Sequence, residues 1–148
     1  MSFEAEIPIR FGDVDWARIV YYPRFFHLLH VAFEELFERH VGIAYSDLVE
    51  KHNLGFPSVR VETDFMKPLR FGELMRVRFE VPRIGRSSVD FDHIVFVAPD
   101  PEPRARARLV RVAVDMRSLR PVAVPDAIRA KLLELGPARP VPHRVGEP

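Results

Sequence analysis

The spacing of apolar residues changes once along this chain, near residue 55, and that change limits the folds open to it. Before residue 55, apolar side chains recur every three or four residues and predict one long helix. This helix begins at Pro23, its apolar spacing continues to about His40, and Gly42 ends it. The apolar positions of this helix are Phe26, Leu29, Phe33, Leu36 and Phe37. After it, apolar and charged residues alternate, a period of two that is typical of strands.

Turn residues divide the alternating part into four long strands. The first runs from Phe56 to Phe65 and stops before Pro68. The next two lie at residues 75–81 and 89–95, and the turn around Gly85 makes them a hairpin candidate. In the fourth, Val110, Val112, Val114 and Met116 alternate with Leu109, Arg111, Ala113 and Asp115. Alternation of this kind indicates an antiparallel sheet with one covered face.

The order of elements predicts an α+β fold. A short strand within residues 3–11 precedes the long helix, residues 45–52 have room for two further helical turns, and residues 126–135 form a short terminal helix. The arrangement that buries the helix face is one long central helix packed against a curved antiparallel sheet.

Length and composition favour one domain over residues 1–148, with 136–148 as a loose tail. The chain has no cysteine, which excludes a thiol nucleophile, a disulfide scaffold and a Cys-ligated metal site. A net charge of +1 gives no overall attraction to nucleic acid, and no apolar stretch reaches the length that spans a bilayer. We therefore expect a cytoplasmic protein with neither a nucleic acid nor a membrane as partner.

The segment FGDVDWARIVYYPRFF, residues 11–26, concentrates the chemically useful side chains in one loop before the long helix. Free amides at a helix start can donate to a developing oxyanion, and Asp15 lies a few residues upstream of them. A carboxylate beside such amides suits acyl transfer. The alternative is that Asp13 or Asp15 only accepts hydrogen bonds from turn amides, since aspartate is a common turn residue.

At this segment the sequence resembles the 4-hydroxybenzoyl-CoA thioesterase family of hotdog-fold enzymes, whose motif reads approximately D-x-D-x-x-G-x-V-Y-[YH]. Here it stands at residues 13–22. A second stretch, FPSVRVETDFMKPLRFGELMRVRFEV, resembles two strands of that family joined by its Pro-x-x-x-Gly-[DE] turn, at Pro68, Gly72 and Glu73. The resemblance covers residues 4–118. It implies a hotdog fold, hydrolysis of an acyl-CoA to free acid and CoA without a metal or redox cofactor, and a homodimer or homotetramer.

The resemblance also implies roles for single residues. Asp15 is similar to the catalytic carboxylate, which acts as nucleophile on the thioester or as general base for water. Tyr22 aligns with the residue whose backbone N–H polarises the thioester oxygen. Tyr21 beside it is a candidate substrate-binding residue, and the alternative for both tyrosine rings is packing in the wall of the core. The Tyr-Pro pair resembles the branch that acts on aromatic acyl-CoA.

Two positions depart from the family pattern. Arg18 replaces the family's glycine, where the loop favours a positive φ, and it is a candidate to hold a substrate carboxylate or a CoA phosphate. His30 stands where the family more often has Glu or Asp, which alters the polarity of the acyl pocket.

Arginines supply the candidates for nucleotide binding. Arg83 and Arg86 flank the turn that resembles the family's site for CoA phosphates. The run Arg104, Arg106 and Arg108 lies on one face of a strand with no interleaved aromatic residue, so we interpret it as a solvated or subunit-facing edge rather than an RNA-binding patch.

Two other functions stay open at this stage. A hotdog dehydratase or hydratase would need a histidine and an acid, for which His27 or His30 with Glu34 are the helix candidates. A non-catalytic module would bind acyl-CoA or assemble with partners, and would not need Asp15.

Overall fold

The computed structural model describes residues 2–136, in which the predicted long helix lies against one large sheet. In chain order the elements are β1 (Phe3–Pro8), a short 3-10 turn (Phe11–Asp13), α1 (Tyr22–Leu36), a π-helical turn (Phe37–Val41), α2 (Tyr45–His52), β2 (Leu54–Gly55), β3 (Ser58–Phe65), β4 (Leu74–Ile84), β5 (Ser88–Phe96), β6 (Ala105–Val112), β7 (Val114–Asp115) and α3 (Asp126–Leu133). The predicted loose tail lies outside the described residues from residue 137 onward.

The helix begins and ends where the sequence predicts. Pro23 occupies its first turn, where a missing N–H costs no hydrogen bond. The chain continues through the π-helical turn to Gly42, which adopts a left-handed φ of 93° that a side chain would disfavour. One face of α1 is buried, through Phe25, Leu28, Leu29, Ala32, Phe33 and Leu36.

The sheet has the strand order β1-β4-β5-β6-β3, and every neighbouring pair is antiparallel. The predicted hairpin is β4 with β5. Alternate residues of both strands face α1, and Phe33 of the helix packs edge-on against Phe91 of β5 with ring centroids 5.4 Å apart. Full burial of one such aromatic side chain contributes roughly 2 kcal/mol or more. The predicted α+β architecture is therefore confirmed.

The buried face of β6 carries an arginine. Ala105, Ala107, Leu109 and Arg111 are buried against the core, whereas Val110 and the valine after it are only half-buried on the outer face. The sequence pattern predicted a strand here without deciding which of its faces is buried. Alternation from the buried alanines onward carries the same face to Arg111.

Strand β3 lies at the edge of the sheet and is exposed on both faces. Of its eight residues only Thr63 is half-buried, so the apolar side of β3 is uncovered in the protomer. The edge predicted at Arg104, Arg106 and Arg108 is wrong, because β6 lies between β5 and β3. No helix within residues 2–136 is both long and apolar enough to cross a membrane.

Candidate active site

The motif segment folds back on itself as a small antiparallel turn. Val14 and Val20 pair across it, and the amide of Val20 donates to the carbonyl of Leu69 at 2.8 Å, which ties the turn to the loop before β4. Asp15 stands at the start of the turn, and its amide donates to the carbonyl of Ile19 at 3.0 Å. The rigid pairing on both sides fixes where the Asp15 side chain begins.

Only one oxygen of the Asp15 carboxylate is used by the turn. Oδ1 accepts a hydrogen bond of 2.8 Å from the amide of Ala17, as the turn-forming interpretation predicts. Oδ2 accepts none from the described residues, and the side chain is exposed. The turn therefore orients the carboxylate and leaves one oxygen accessible for chemistry.

Asp13 has a structural role. It is 4% exposed and accepts hydrogen bonds of 2.8 Å from the amide of Arg10 and from Nε of Arg24. Burial by itself would raise the pKa of Asp13, but these two hydrogen bonds and the charge of Arg24 outweigh it and lower the pKa below its ordinary value. The carboxylate thus fastens the loop to the first turn of α1.

The helix start offers a single amide to a ligand. The amide of Tyr21 donates to the carbonyl of Asp13 at 3.0 Å, Pro23 has no N–H, and the amides of Arg24 and Phe25 donate to the carbonyl of Tyr21. Among the described residues nothing accepts a hydrogen bond from the amide of Tyr22. This amide also lies at the positive end of the helix dipole.

A cleft of about 410 Å³ opens at this helix start. Its lining is mostly apolar and comprises Ile19, Val20, Tyr22, Phe25, Phe65, Met66, Lys67, Pro68, Leu69 and Ala105. Lys67 at its mouth is already paired with Asp100 and Glu102. The cleft suits an apolar or aromatic group. Asp15 does not line it but lies on the adjoining turn.

Arg18 adopts the backbone conformation that the family's glycine would allow. Its φ is 64°, in the left-handed region where a non-glycine residue costs on the order of 1 kcal/mol. The side chain is exposed and makes no ion pair within the described residues. The structure thus bears out the expected positive φ at this position.

The other helix candidates lie away from the cleft. The ring of Tyr21 contacts that of Tyr22, with centroids 5.6 Å apart. His30 lies two turns further along α1, with Nε2 3.6 Å from Oε1 of Glu34. Neither histidine candidate nor Glu34 lines the cleft, so the pair that a hydratase would need is not assembled there.

Arg83 and Arg86 lie at the far end of the sheet from Asp15. The loop of Asp15 follows the end of β1 that pairs with Leu74, whereas the two arginines flank the hairpin after Ile84. The strand between these ends spans roughly 35 Å at ~3.3 Å per residue. Within one protomer the two groups do not meet.

Residues 9–132 match the family model described as "Thioesterase-like superfamily". The chain belongs to the thioesterase-like superfamily. It is 29% identical over 128 residues to a 1,4-dihydroxy-2-naphthoyl-CoA hydrolase of Nostoc punctiforme (strain ATCC 29133 / PCC 73102), covering 86% of this chain and 84% of that one.

Solved structures agree in fold. A 1,4-dihydroxy-2-naphthoyl-CoA thioesterase from Synechocystis superposes with a TM-score of 0.81 at 19% identity, over 91% of this chain and 98% of that one. A gentisyl-coenzyme A thioesterase superposes with a TM-score of 0.77 at 25% identity, over 86% and 99%. The predicted hotdog fold is confirmed, and so is the prediction of a thioesterase-type enzyme at the level of the superfamily.

The sequence did not predict two features of this structure, namely one wall of the cleft and a buried arginine. The end of β3 and the residues after it, Phe65 and Met66, form one wall of the cleft. Arg111 is buried beside α1, with its guanidinium carbon 3.8 Å from the ring centroid of Phe33. Counting the alternation forward from Ala105 places Arg111 on the same face as Ala105. Nothing in the sequence indicates which strand borders the helix start.

Proposed function

We propose that this protein is an acyl-CoA thioesterase that hydrolyses an aromatic acyl-CoA to the free acid and CoA. The observation that carries the proposal is the free amide of Tyr22 at the start of α1, beside the turn that holds Asp15, in a chain of the thioesterase-like superfamily. The apolar lining of the adjacent cleft supports an aromatic acyl group.

The proposed reaction places the thioester oxygen at the amide of Tyr22. In the nucleophilic route, Oδ2 of Asp15 attacks the carbonyl carbon, the C–S bond breaks, CoA leaves as thiolate, and water then hydrolyses the resulting anhydride. In the general-base route, Asp15 takes a proton from the water that attacks. In both routes the Tyr22 N–H stabilises the oxyanion, and one such donor typically lowers the barrier by roughly 3 kcal/mol.

The relatives favour a hydroxylated aromatic acyl group. The two relatives described above are named for 1,4-dihydroxy-2-naphthoyl-CoA and gentisyl-coenzyme A, and 4-hydroxybenzoyl-CoA belongs to the same chemical class. We propose that the acyl group of this enzyme is of that class, that Tyr21 extends the cleft wall beside Tyr22, and that His30 does not line the cleft of its own protomer but contacts the acyl group in the other subunit's cleft.

We further propose a homodimer, with two dimers as the larger option, in which the β3 edges of two subunits join in one antiparallel sheet. Val59, Val61, Phe65 and Met66 are exposed on this edge, and an uncovered apolar strand edge is normally protected. A two-fold axis through β3 exchanges the ends of the sheet. The partner's Arg83 and Arg86 then lie at the same sheet end as Asp15 and Arg18, where they can bind CoA phosphates.

A thiol-release screen tests the proposed function. The esters are the CoA thioesters of benzoate, 4-hydroxybenzoate, 1,4-dihydroxy-2-naphthoate, phenylacetate, and short and long fatty acids. The proposal expects release of CoA from an aromatic ester at a rate well above that from the fatty esters. Release from the fatty esters alone would contradict the aromatic assignment. Hydration of an enoyl-CoA without thiol release would favour the hydratase alternative.

A further inference from the structure

Arg111 is a buried cation without an acidic partner among the described residues. It is 5% exposed, its guanidinium lies over the ring of Phe33, and Nη1 donates to the carbonyl of Phe56 at 2.9 Å. Nε is buried and has no hydrogen-bond partner, and Nη2 has none in the described residues either. Burial of an unpaired charge is costly, and the free donors would be satisfied by an anion.

The neighbours of Arg111 are aromatic and uncharged. Burial and the charge of Arg111 lower the pKa of His30, although Glu34 opposes this, and the lowered pKa favours the neutral imidazole. Its ring lies 6.2 Å from that of Tyr45, whose hydroxyl accepts a hydrogen bond from the amide of Phe56. These side chains place one fixed positive charge in aromatic surroundings.

Arg111 is too far from the cleft of its own protomer to touch a group bound there. Ala105 lines that cleft and precedes Arg111 by six positions on β6, a distance of roughly 20 Å along the strand. Arg111 is level with Ser58, at the opposite end of β3 from Phe65.

The dimer proposed above brings Arg111 to the other subunit's cleft. When two β3 strands pair antiparallel about their centre, Ser58 lies opposite the partner subunit's Phe65, which lines the partner's cleft. Arg111 is one strand further in, so it lies about two strand spacings, roughly 10 Å, from that wall. A distance of this size can be spanned by an arginine side chain and one aromatic acyl group.

We propose that Arg111 binds an anionic oxygen on the aromatic acyl group held in the partner subunit's cleft, and that it thereby selects acyl rings carrying an acidic hydroxyl or a carboxylate. The inference rests on the proposed function and on the proposed dimer. The guanidinium fork supplies two adjacent donors for such an oxygen, and a ring beside it packs against His30 and Tyr45.

The first test is the ratio of kcat/KM between a substituted benzoyl-CoA and plain benzoyl-CoA. The substituted esters are the monocarboxy series, whose carboxylate is anionic at pH 7, and the monohydroxy series, whose phenol is largely neutral in water and ionises only where Arg111 stabilises the phenolate. We expect the wild type to prefer one of them by at least ~10-fold, and Arg111→Met to lower that ratio by ~10-fold or more. Arg106→Met, on the exposed face of the same strand, is the matched control and should keep the ratio.

Three results would overturn the proposal: no preference in the wild type, an equal loss for both esters in Arg111→Met, or an equal change in the Arg106 control. Arg111→Lys keeps the positive charge but lacks the two adjacent N–H donors of the guanidinium. This variant tests the proposal if Arg111→Met does not fold. A fall of at least ~3-fold in its ratio supports the proposal, and an unchanged ratio overturns it.

Hybrid dimers test whether Arg111 acts across the interface. Asp15→Asn subunits are mixed with Arg111→Met subunits, so that one site of each hybrid combines an intact Asp15 with the other subunit's Arg111. We expect hybrids to regain turnover with the wild-type substrate preference. Active hybrids without that preference, or inactive hybrids, would overturn the proposal.

A binding measurement separates this inference from the proposed function. Titration calorimetry with free 4-hydroxybenzoate and isophthalate needs no turnover. We expect Arg111→Met to weaken binding at least ~10-fold and Arg106→Met to leave it unchanged, even if no ester is hydrolysed. Equal binding to all three proteins overturns the site, whereas absent thiol release alone overturns only the thioesterase proposal.

Discussion

Asp13 and Asp15 are two positions apart, and their environments predict different consequences of the same substitution. Asp13 is buried with two hydrogen bonds, so Asp13→Asn should lower the free energy of unfolding by about 2 kcal/mol. Urea denaturation measures this. Asp47→Asn is the control, because Asp47 belongs to a surface ion pair with Lys51 and should cost no more than ~0.5 kcal/mol. Equal losses in the two variants would contradict the structural role of Asp13.

His93 predicts an acid-sensitive core. Burial, together with the charge of Arg111, lowers its pKa to about 4, and its Nε2 has no hydrogen-bond partner within residues 2–136. Because the unfolded histidine titrates near 6.5, the unfolded state binds the proton first, and stability falls as the pH drops from about 6.5 to about 4. The difference between the folded and the unfolded pKa of His93 corresponds to roughly 3 kcal/mol of folding stability.

His93→Leu should remove this part of the acid sensitivity. The difference in unfolding free energy between variant and wild type should move in the variant's favour by roughly 3 kcal/mol between pH 7 and pH 4. His52→Leu, at an exposed position, should show no such change. Parallel pH curves for His93→Leu and the wild type would refute a buried neutral histidine.

At the level of elements, the turn between Asp15 and Ile19 holds a non-glycine residue at positive φ. Arg18→Gly should raise the free energy of unfolding by about 1 kcal/mol relative to Arg18→Ala, because glycine adopts φ 64° without strain. Thermal unfolding of both variants measures the difference. If Arg18 also binds substrate, both variants should raise KM for acyl-CoA equally. Equal stabilities would show that the turn does not require this φ.

The helix and strands can be predicted from the sequence, whereas the order of the strands in the sheet cannot. The spacing of apolar residues, together with the turn residues that end each element, predicted α1 from Pro23 to Gly42 and the β4–β5 hairpin around Gly85. Both predictions depend only on residues that are close in the chain. The edge position of β3 depends on strand order, which local spacing does not encode. The buried face of β6 was not predicted, because the alternation of Val110 with Arg111 does not by itself decide which set faces the helix.

In the candidate site, too, relations between residues close in the chain were predicted and relations between distant residues were not. The motif spacing predicted Asp15 and the Tyr22 amide on one loop and helix start, which are close in the chain. It left open whether Asp13 or Asp15 would bond the turn amides, and it did not predict that Arg83 and Arg86 would lie at the opposite sheet end. The position of the two arginines relative to Asp15 joins residues that are far apart in sequence.

For the whole molecule, the exposed β3 edge predicts a subunit interface. Sedimentation velocity should give a mass two or four times 17.1 kDa. Val61→Glu places like charges near the two-fold axis and should yield monomers with little activity. Leu133→Glu, at an exposed apolar position on α3, is the control and should leave the assembly intact. A wild-type monomer that keeps full activity at nanomolar concentration would contradict the interface and the shared site.

The central claim is that Asp15 carries out thioester hydrolysis beside the amide of Tyr22. The most direct test is the rate of thiol release by wild type and Asp15→Asn at saturating concentration of the same aromatic acyl-CoA, with both proteins in the same oligomeric state. We expect kcat to fall by ~10²-fold or more, because the amide keeps the shape of the carboxylate and removes its charge and nucleophilicity. Equal rates for the two proteins would contradict it.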